Sequence, residues 1–298
     1  MRAILIALLV GLAALAWWLW PGGGLGQISA WAAENQRSFQ NQMALALRGV
    51  RGGQPGAIAA LLVGCFAYGF FHAVGPGHGK VLIGGYGLAR KVAAWRLSAI
   101  SLAGSLGQAI TAVVLVHGGV WLFQLSREQL VGTADGLMAP VSYVMIALIG
   151  LWLLARGCRR FVRRPAAVGH VHHTDGHCES CGHRHGPTAE EIETTTSWRA
   201  AMVLIAGIAI RPCTGALFVL VITIGMGIPL AGIAGAFVMA LGTAIVTIGV
   251  GLGAVGLRGG LMQGIAGSGF ATRVVPMIEI AAGTMVVLGA GGLLLRAI

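Results

Sequence analysis

The stretch Phe71-His72-Ala73-Val74-Gly75-Pro76-Gly77-His78-Gly79-Lys80 ends an apolar run on residues that cannot carry a helix onward. A second stretch, Arg211-Pro212-Cys213-Thr214-Gly215-Ala216, interrupts another apolar run in the same way. Proline lacks the amide that a regular helix needs and glycine does not favour helical backbone, so the chain is expected to unwind at both places. Backbone groups freed inside a bilayer must face protein or a water-filled cavity, because lipid offers them no partner. Two such breaks imply a helical membrane bundle with a polar point in its interior.

The rest of the chain agrees with a membrane bundle. Of 298 residues, 56% are hydrophobic and 10% charged, and the mean hydropathy is +0.83, far from ordinary soluble domains. Apolar runs at about 3–20, 57–74, 97–123, 138–155, 200–227, 229–256 and 276–295 each approach the roughly 20 residues of a spanning helix. The expected fold is therefore all-α and polytopic, with about seven transmembrane helices. The 49 glycines fall largely inside these runs, where they permit close helix packing.

The net charge of +11 comes from Lys and Arg lying mainly between apolar runs, with no basic-aromatic groove pattern, so nucleic acid is not an expected partner. Lys80, Arg90, Lys91 and Arg96 follow the second run, and Arg156, Arg159, Arg160, Arg163 and Arg164 follow the fourth. By the positive-inside rule both loops are expected in the cytoplasm, with Arg258 and Arg273 on the same side. The lipid bilayer is the expected surrounding, in a bacterial plasma (inner) membrane, and the composition is compatible with a homo-oligomer.

An internal repeat organises the chain. Roughly thirty residues after each proline break comes a matching stretch, Leu106-Gly107-Gln108-Ala109-Ile110 in one half and Leu241-Gly242-Thr243-Ala244-Ile245 in the other. Pro140 begins the last span of the first half as Pro276 begins that of the second, which sets Tyr143 opposite Glu279. Three spans per unit reverse the sidedness of the second copy, so the units are expected to be two inverted three-helix repeats with broken helices at Pro76 and Pro212, as secondary transporters build a midplane site. The expected organisation is an N-terminal helix, read as an uncleaved signal anchor, plus an external loop over 1–56; a first repeat over 57–155; a cytoplasmic loop over 156–197; and a second repeat over 198–298.

His72 and His78 flank the first break, and unwinding lets both imidazoles turn toward one point. Imidazole suits nickel, cobalt, copper and zinc, whereas magnesium and calcium prefer oxygen. The second break offers Cys213 and Thr214 where the first offers Gly77 and His78, and a thiolate is a soft metal ligand. These residues are the candidate transport site for a soft divalent ion. Glu279 is a candidate coupling carboxylate, with an interfacial group in the first turn of a helix as the plainer alternative. Gln108, Thr111, Thr243 and Thr247 either line a path or join helices. Lys80 and Arg211 are expected to snorkel or to pair with carboxylates, and Cys65 to be a packing residue.

Between the fourth and fifth runs, His170, His172, His173, Asp175, His177, Cys178, Glu179, Cys181, His183 and His185 crowd into sixteen residues and hold six of the nine histidines. So polar a tract cannot bury a core, and its composition points to a flexible metal-collecting loop. Cys178-x-x-Cys181 among histidines also suits a tetrahedral zinc ion.

At His72-Ala73-Val74-Gly75-Pro76-Gly77-His78-Gly79-Lys80, Arg211-Pro212-Cys213-Thr214-Gly215-Ala216, the span Ser142 to Leu154 and the histidine-rich loop, the sequence resembles the nickel/cobalt efflux permeases, the NicO-type family, over about 57–297. The resemblance implies nickel and cobalt as substrates and export as the direction. The expected function is a secondary transporter with no resident cofactor and no catalytic residues. The alternative is a membrane thiol-disulfide electron carrier, since Pro212-Cys213 inside a repeat resembles the proline-cysteine motifs of such proteins. It needs a second thiol, and Cys65 is the one within the bundle that could serve.

Overall fold

The computed structural model describes residues 17–18, 22–75, 77–162, 198–264 and 271–297. The expected spanning helix at 3–20 and the metal-collecting loop, including His170, His172, His173, Asp175, His177, Cys178, Cys181, His183 and His185, lie outside the described residues, as do Pro76 and the His78 side chain.

All the regular structure among the described residues is helical, as lipid requires of a chain whose backbone must satisfy itself. In chain order the helices are α1 (Gly24–Arg51), α2 (Ala57–Val74), α3 (His78–Ala89), α4 (Ala94–Phe123), α5 (Arg127–Thr133), α6 (Ala139–Val162), α7 (Trp198–Ala209), α8 (Thr214–Gly225), α9 (Pro229–Gly264) and α10 (Ala271–Ala297). A five-residue π-helical turn, Ala134–Met138, joins α5 to α6. Among the described residues, five stretches are long and apolar enough to cross a membrane: Ala57–Val74, Ala94–Phe123, Arg127–Val162, Pro229–Gly264 and Val274–Leu295. The pair α7 and α8, bent by 59° at the second break, makes a sixth. These are the six expected spans that fall on described residues.

Both breaks are present. Helix α2 stops at Val74 and α3 starts at His78; α7 stops at Ala209 and α8 starts at Thr214. The two differ in depth within the chain: the first follows a span of full length, whereas the second divides one span into two 12-residue halves. Helix α3 is not the loop start that its position after an apolar run suggested. Leu82, Ile83, Tyr86 and Ala89 are buried on it, so the chain re-enters the bundle after the break.

The segment 21–56, expected to be a loop, instead forms the 28-residue α1. Its near-neutral composition hides an apolar stripe. Met43 and Leu47 are wholly buried against α2, Phe39 stacks on Phe71 at 5.5 Å, and Trp31 meets the same ring edge-on at 5.1 Å. Helix α1 runs antiparallel to α2, and an amphipathic stripe on a polar helix does not register as an apolar run.

Glycine sets how closely the helices cross. A Cβ on Gly242 of α9 would meet the Phe66 carbonyl and lie 2.9 Å from the Phe70 amide of α2. A Cβ on Gly107, the matching position of α4, would lie 2.5 Å from Ala209 Cβ of α7. The next residue on each helix then bonds across the same crossing: Thr243 Oγ1 donates to the Gly69 carbonyl at 3.2 Å, and Gln108 Nε2 donates to the Ile208 carbonyl at 3.1 Å. The two matching stretches thus do the same work on the helix before each break. Helices α6 and α10, the last of each half, lie antiparallel against each other through Gly150, Gly157 and Gly283.

Candidate metal-transport site

A cavity of about 220 Å³ opens between the two breaks. It is lined by His72 from the end of α2, Gly77, Gly79 and Lys80 from the first break and α3, Arg211, Pro212, Cys213 and Thr214 from the second break, and Thr243 and Thr247 from α9. Helix α4 adds Ser105 and Gln108, and α6 adds Tyr143. Each break therefore delivers its polar groups to one place, from elements about 140 residues apart in the chain.

The local geometry around Cys213 is dense. Its sulfur is hydrogen-bonded with the His72 imidazole and faces the backbone amides of Gly215 and Ala216 at the start of α8. The positive end of that helix is thus aimed at the sulfur. The thiol also donates to Met239 Sδ of α9 at 3.7 Å. Tyr68 lies parallel to the His72 ring, with centroids 6.0 Å apart and planes 8° from parallel. Gln36 Nε2 of α1 donates to Tyr68 Oη at 3.0 Å, and the Thr214 side chain hydrogen-bonds with the same phenol. Gly215 leaves the space this ring occupies, since a Cβ there would overlap Tyr68. An imidazole and a thiol are in this way held in fixed orientation by aromatic and hydrogen-bonding neighbours, the supporting arrangement that metal ligands need.

Of the sequence-derived candidates, His72, Cys213 and Thr214 come together here, and His78 begins α3 beside them. Among the described residues no three of the side chains His, Cys, Asp and Glu gather into one cluster. Ser105 Oγ, fully buried, lines the cavity with no hydrogen-bond partner among the described residues, which marks the cavity as a place for a polar occupant. The volume suffices for an ion with several waters.

The two cations beside the cavity are both engaged. Lys80 Nζ donates to the carbonyls of Val74, at 3.0 Å, and Gly75. It therefore caps the end of α2 and satisfies carbonyls that the break sets free, a role that neither snorkelling nor a carboxylate partner describes. Arg211 does find a carboxylate, Asp135 on the π-helical turn at 3.7 Å, and it also donates to Tyr143 Oη and lies over that ring.

Glu279 does not line the cavity. Helix α10 begins at Ala271 and carries Pro276 within it, so Glu279 is not in a first turn. Its side chain is buried against the end of α6, 2.9 Å from Arg160 and 3.8 Å from Arg156, with Arg90, Lys91 and Arg258 around the same small hollow. The basic residues that follow the first break, end α6 and sit on α9 thus gather at one end of the bundle.

Cys65 and Cys213 are both free thiols. Cys65 is buried on α2 against Gly235, where a Cβ would approach its sulfur to 3.0 Å. Sequence reasoning missed Met239, Tyr68, Gln36 and Asp135. Met239, Gln36 and Asp135 lie on different elements from the residues they serve, and Tyr68, one helical turn before His72, reaches Thr214 only across the second break.

Fold and site together define a multi-pass helical membrane protein built around a polar cavity at two helix breaks, with nitrogen and sulfur donors turned inward. The comparisons with known proteins agree on the class. Residues 58–172 match the NicO family, described as "High-affinity nickel-transport protein". A Haemophilus influenzae protein named "Putative nickel/cobalt efflux system" is 26% identical over 238 residues, covering 72% of this chain and 70% of that one. No solved structure gives a significant match. The chain is thus similar to the NicO family over residues 58–172, and to a protein named for nickel/cobalt efflux over 72% of its length.

Proposed function

We propose that this protein is a secondary transporter that exports nickel and cobalt from the cytoplasm, with His72, His78, Cys213 and Thr214 forming the transient site through which the ion passes. The observation that carries the proposal is the meeting of His72 and Cys213, one from each break, in a single polar cavity. Imidazole and thiolate suit these ions, and a set of few protein ligands, completed by water, binds loosely enough to release its cargo. The donors lose protons on binding metal, which offers a route to proton exchange. The choice of nickel and cobalt, and the outward direction, rest on the family and on the relative's name.

In this reading the two halves are inverted repeats that rock about the cavity and expose it to each side in turn. The parallel work of Gln108 and Thr243, and the pairing of α6 with α10, support that symmetry. The gathering of Arg90, Lys91, Arg156, Arg160 and Arg258 at one end supports a cytoplasmic face there, with the loop of His170 to His185 collecting ions beside it.

Radiolabelled nickel and cobalt flux in oriented vesicles, with and without a pH gradient, tests the proposal. Export is expected in the wild type and a loss of at least about tenfold in His72→Ala and Cys213→Ser. Flux unchanged in both variants refutes the assigned site, and inward-only flux refutes the direction.

A further inference from the structure

Among the described residues the conventional donors at the cavity do not make a complete ligand set, and the geometry around Cys213 supplies another from outside the usual list. We propose that Met239 is a metal ligand, its thioether joining the Cys213 thiolate and the His72 imidazole in a nitrogen-sulfur-sulfur set that takes thiophilic transition-metal ions over oxygen-preferring ones. The inference deepens the transport reading and rests on it.

Three observations carry it. First, Met239 Sδ lies 3.7 Å from Cys213 Sγ. Two sulfurs each about 2.3 Å from one tetrahedral ion stand about 3.8 Å apart, so the pair is already at chelating separation. Second, the side chain is 1% exposed and is held from both sides of its backbone: its carbonyl abuts the Cα of Gly69 and accepts from Thr243 Oγ1 at 3.2 Å. The α2–α9 crossing therefore fixes where the sulfur sits. Third, among the described residues only two of the His, Cys, Asp and Glu side chains, His72 and Cys213, meet at this point, so an ion held there by them alone is short of ligands.

The chemistry is consistent with the present hydrogen bond. The Cys213 S–H now donates to Met239 Sδ. When a divalent ion binds, the thiol proton leaves to water in the cavity, the S–M bond forms, and the thioether lone pair that accepted the proton is free for the same ion. A thioether has no charge and little affinity for hard cations, so it adds discrimination without tightening the site against release. Magnesium and manganese gain nothing from it, whereas nickel, cobalt and softer ions do.

The test is nickel K-edge X-ray absorption on full-length protein whose loop histidines and cysteines, together with exposed Cys158, are replaced so that the added nickel reports on the cavity. Two sulfur neighbours are expected in this background, one after Met239→Leu, and none after Met239→Leu with Cys213→Ser. Met239→Leu nearly conserves volume, so the fold is expected to survive it. Its nickel-over-manganese preference is expected to fall about tenfold, the size of effect that loss of a supporting ligand group produces. One sulfur in both the background and Met239→Leu overturns the Met239 assignment while leaving Cys213 in place. No sulfur in any protein overturns the Cys213 reading as well, so the two failures are distinguishable.

Discussion

Replacing Glu279 by Gln removes one negative charge from the hollow at the end of α6 while keeping its shape and an acceptor oxygen. The carboxylate is 2% exposed and lies 2.9 Å from Arg160 and 3.8 Å from Arg156, whose side chains are 39% and 24% exposed. At 2.9 Å and an effective dielectric of about 20, the attraction to Arg160 alone is about 6 kcal/mol. Burying the carboxylate cancels much of that, and breaking such a pair typically costs about 3–5 kcal/mol. Solvent at the half-exposed guanidinium groups reduces the loss to about 2 kcal/mol, or a drop of about 5 °C in Tm for a chain of this size. Thermal unfolding of the purified protein in detergent measures it. A double-mutant cycle with Arg160→Gln separates the pair from the rest: the double variant is expected to lose less than the sum of the singles by about 1 kcal/mol or more. Flux and its dependence on a pH gradient are expected to persist in Glu279→Gln. An unchanged Tm together with loss of that pH dependence would refute the structural role and return Glu279 to the coupling machinery.

Three further outcomes follow from the packing and the thiols. Gly242→Ala sets a methyl group against the Phe66 carbonyl and Phe70 amide of α2, backbone that cannot yield unless the helices part; a loss of about 1–3 kcal/mol in unfolding is expected, with weaker nickel binding because α9 carries Thr243 and Met239. Lys80→Met strips the cap from the Val74 and Gly75 carbonyls and also removes a cation beside the cavity. Stability is expected to fall by about 1–3 kcal/mol while nickel binds several-fold more tightly, measured by thermal unfolding and by equilibrium nickel binding; weaker binding would show that the ammonium positions the site rather than repelling the ion. Trapping thiols in membranes under transport conditions is expected to find Cys65 and Cys213 reduced, and a reversible disulfide between them would favour electron transfer over metal transport.

Much of this molecule was legible in residue order because lipid makes simple demands. A run of about twenty apolar residues has to be a spanning helix, and Gly-Pro-Gly or Arg-Pro-Cys has to interrupt one. Two similar stretches stood out in the same way: Leu-Gly-Gln-Ala-Ile and Leu-Gly-Thr-Ala-Ile each put glycine at a close helix crossing and a donor beside it. Helix α1 escaped because its signal is a stripe, not a run, and its apolar face is defined only by the α2 surface it covers.

The role of a charged residue depended on geometry that no local pattern carries. Lys80 and Glu279 look alike in sequence, each three or four residues beyond a proline. The tertiary structure makes one a backbone cap at the cavity and the other the centre of a buried arginine cluster.

The sequence by itself determined the membrane bundle and the two breaks, and offered His72 and Cys213 as candidate ligands, since each is a property of a short stretch and of its solvent. Only the tertiary structure decided that α2, α8 and α9 cross so closely that imidazole, thiol and thioether meet, with Tyr68 and Gln36 bracing them. The reason is that helix crossings are set by which glycines face which backbones across more than a hundred residues of chain, and one-dimensional order does not record which faces meet.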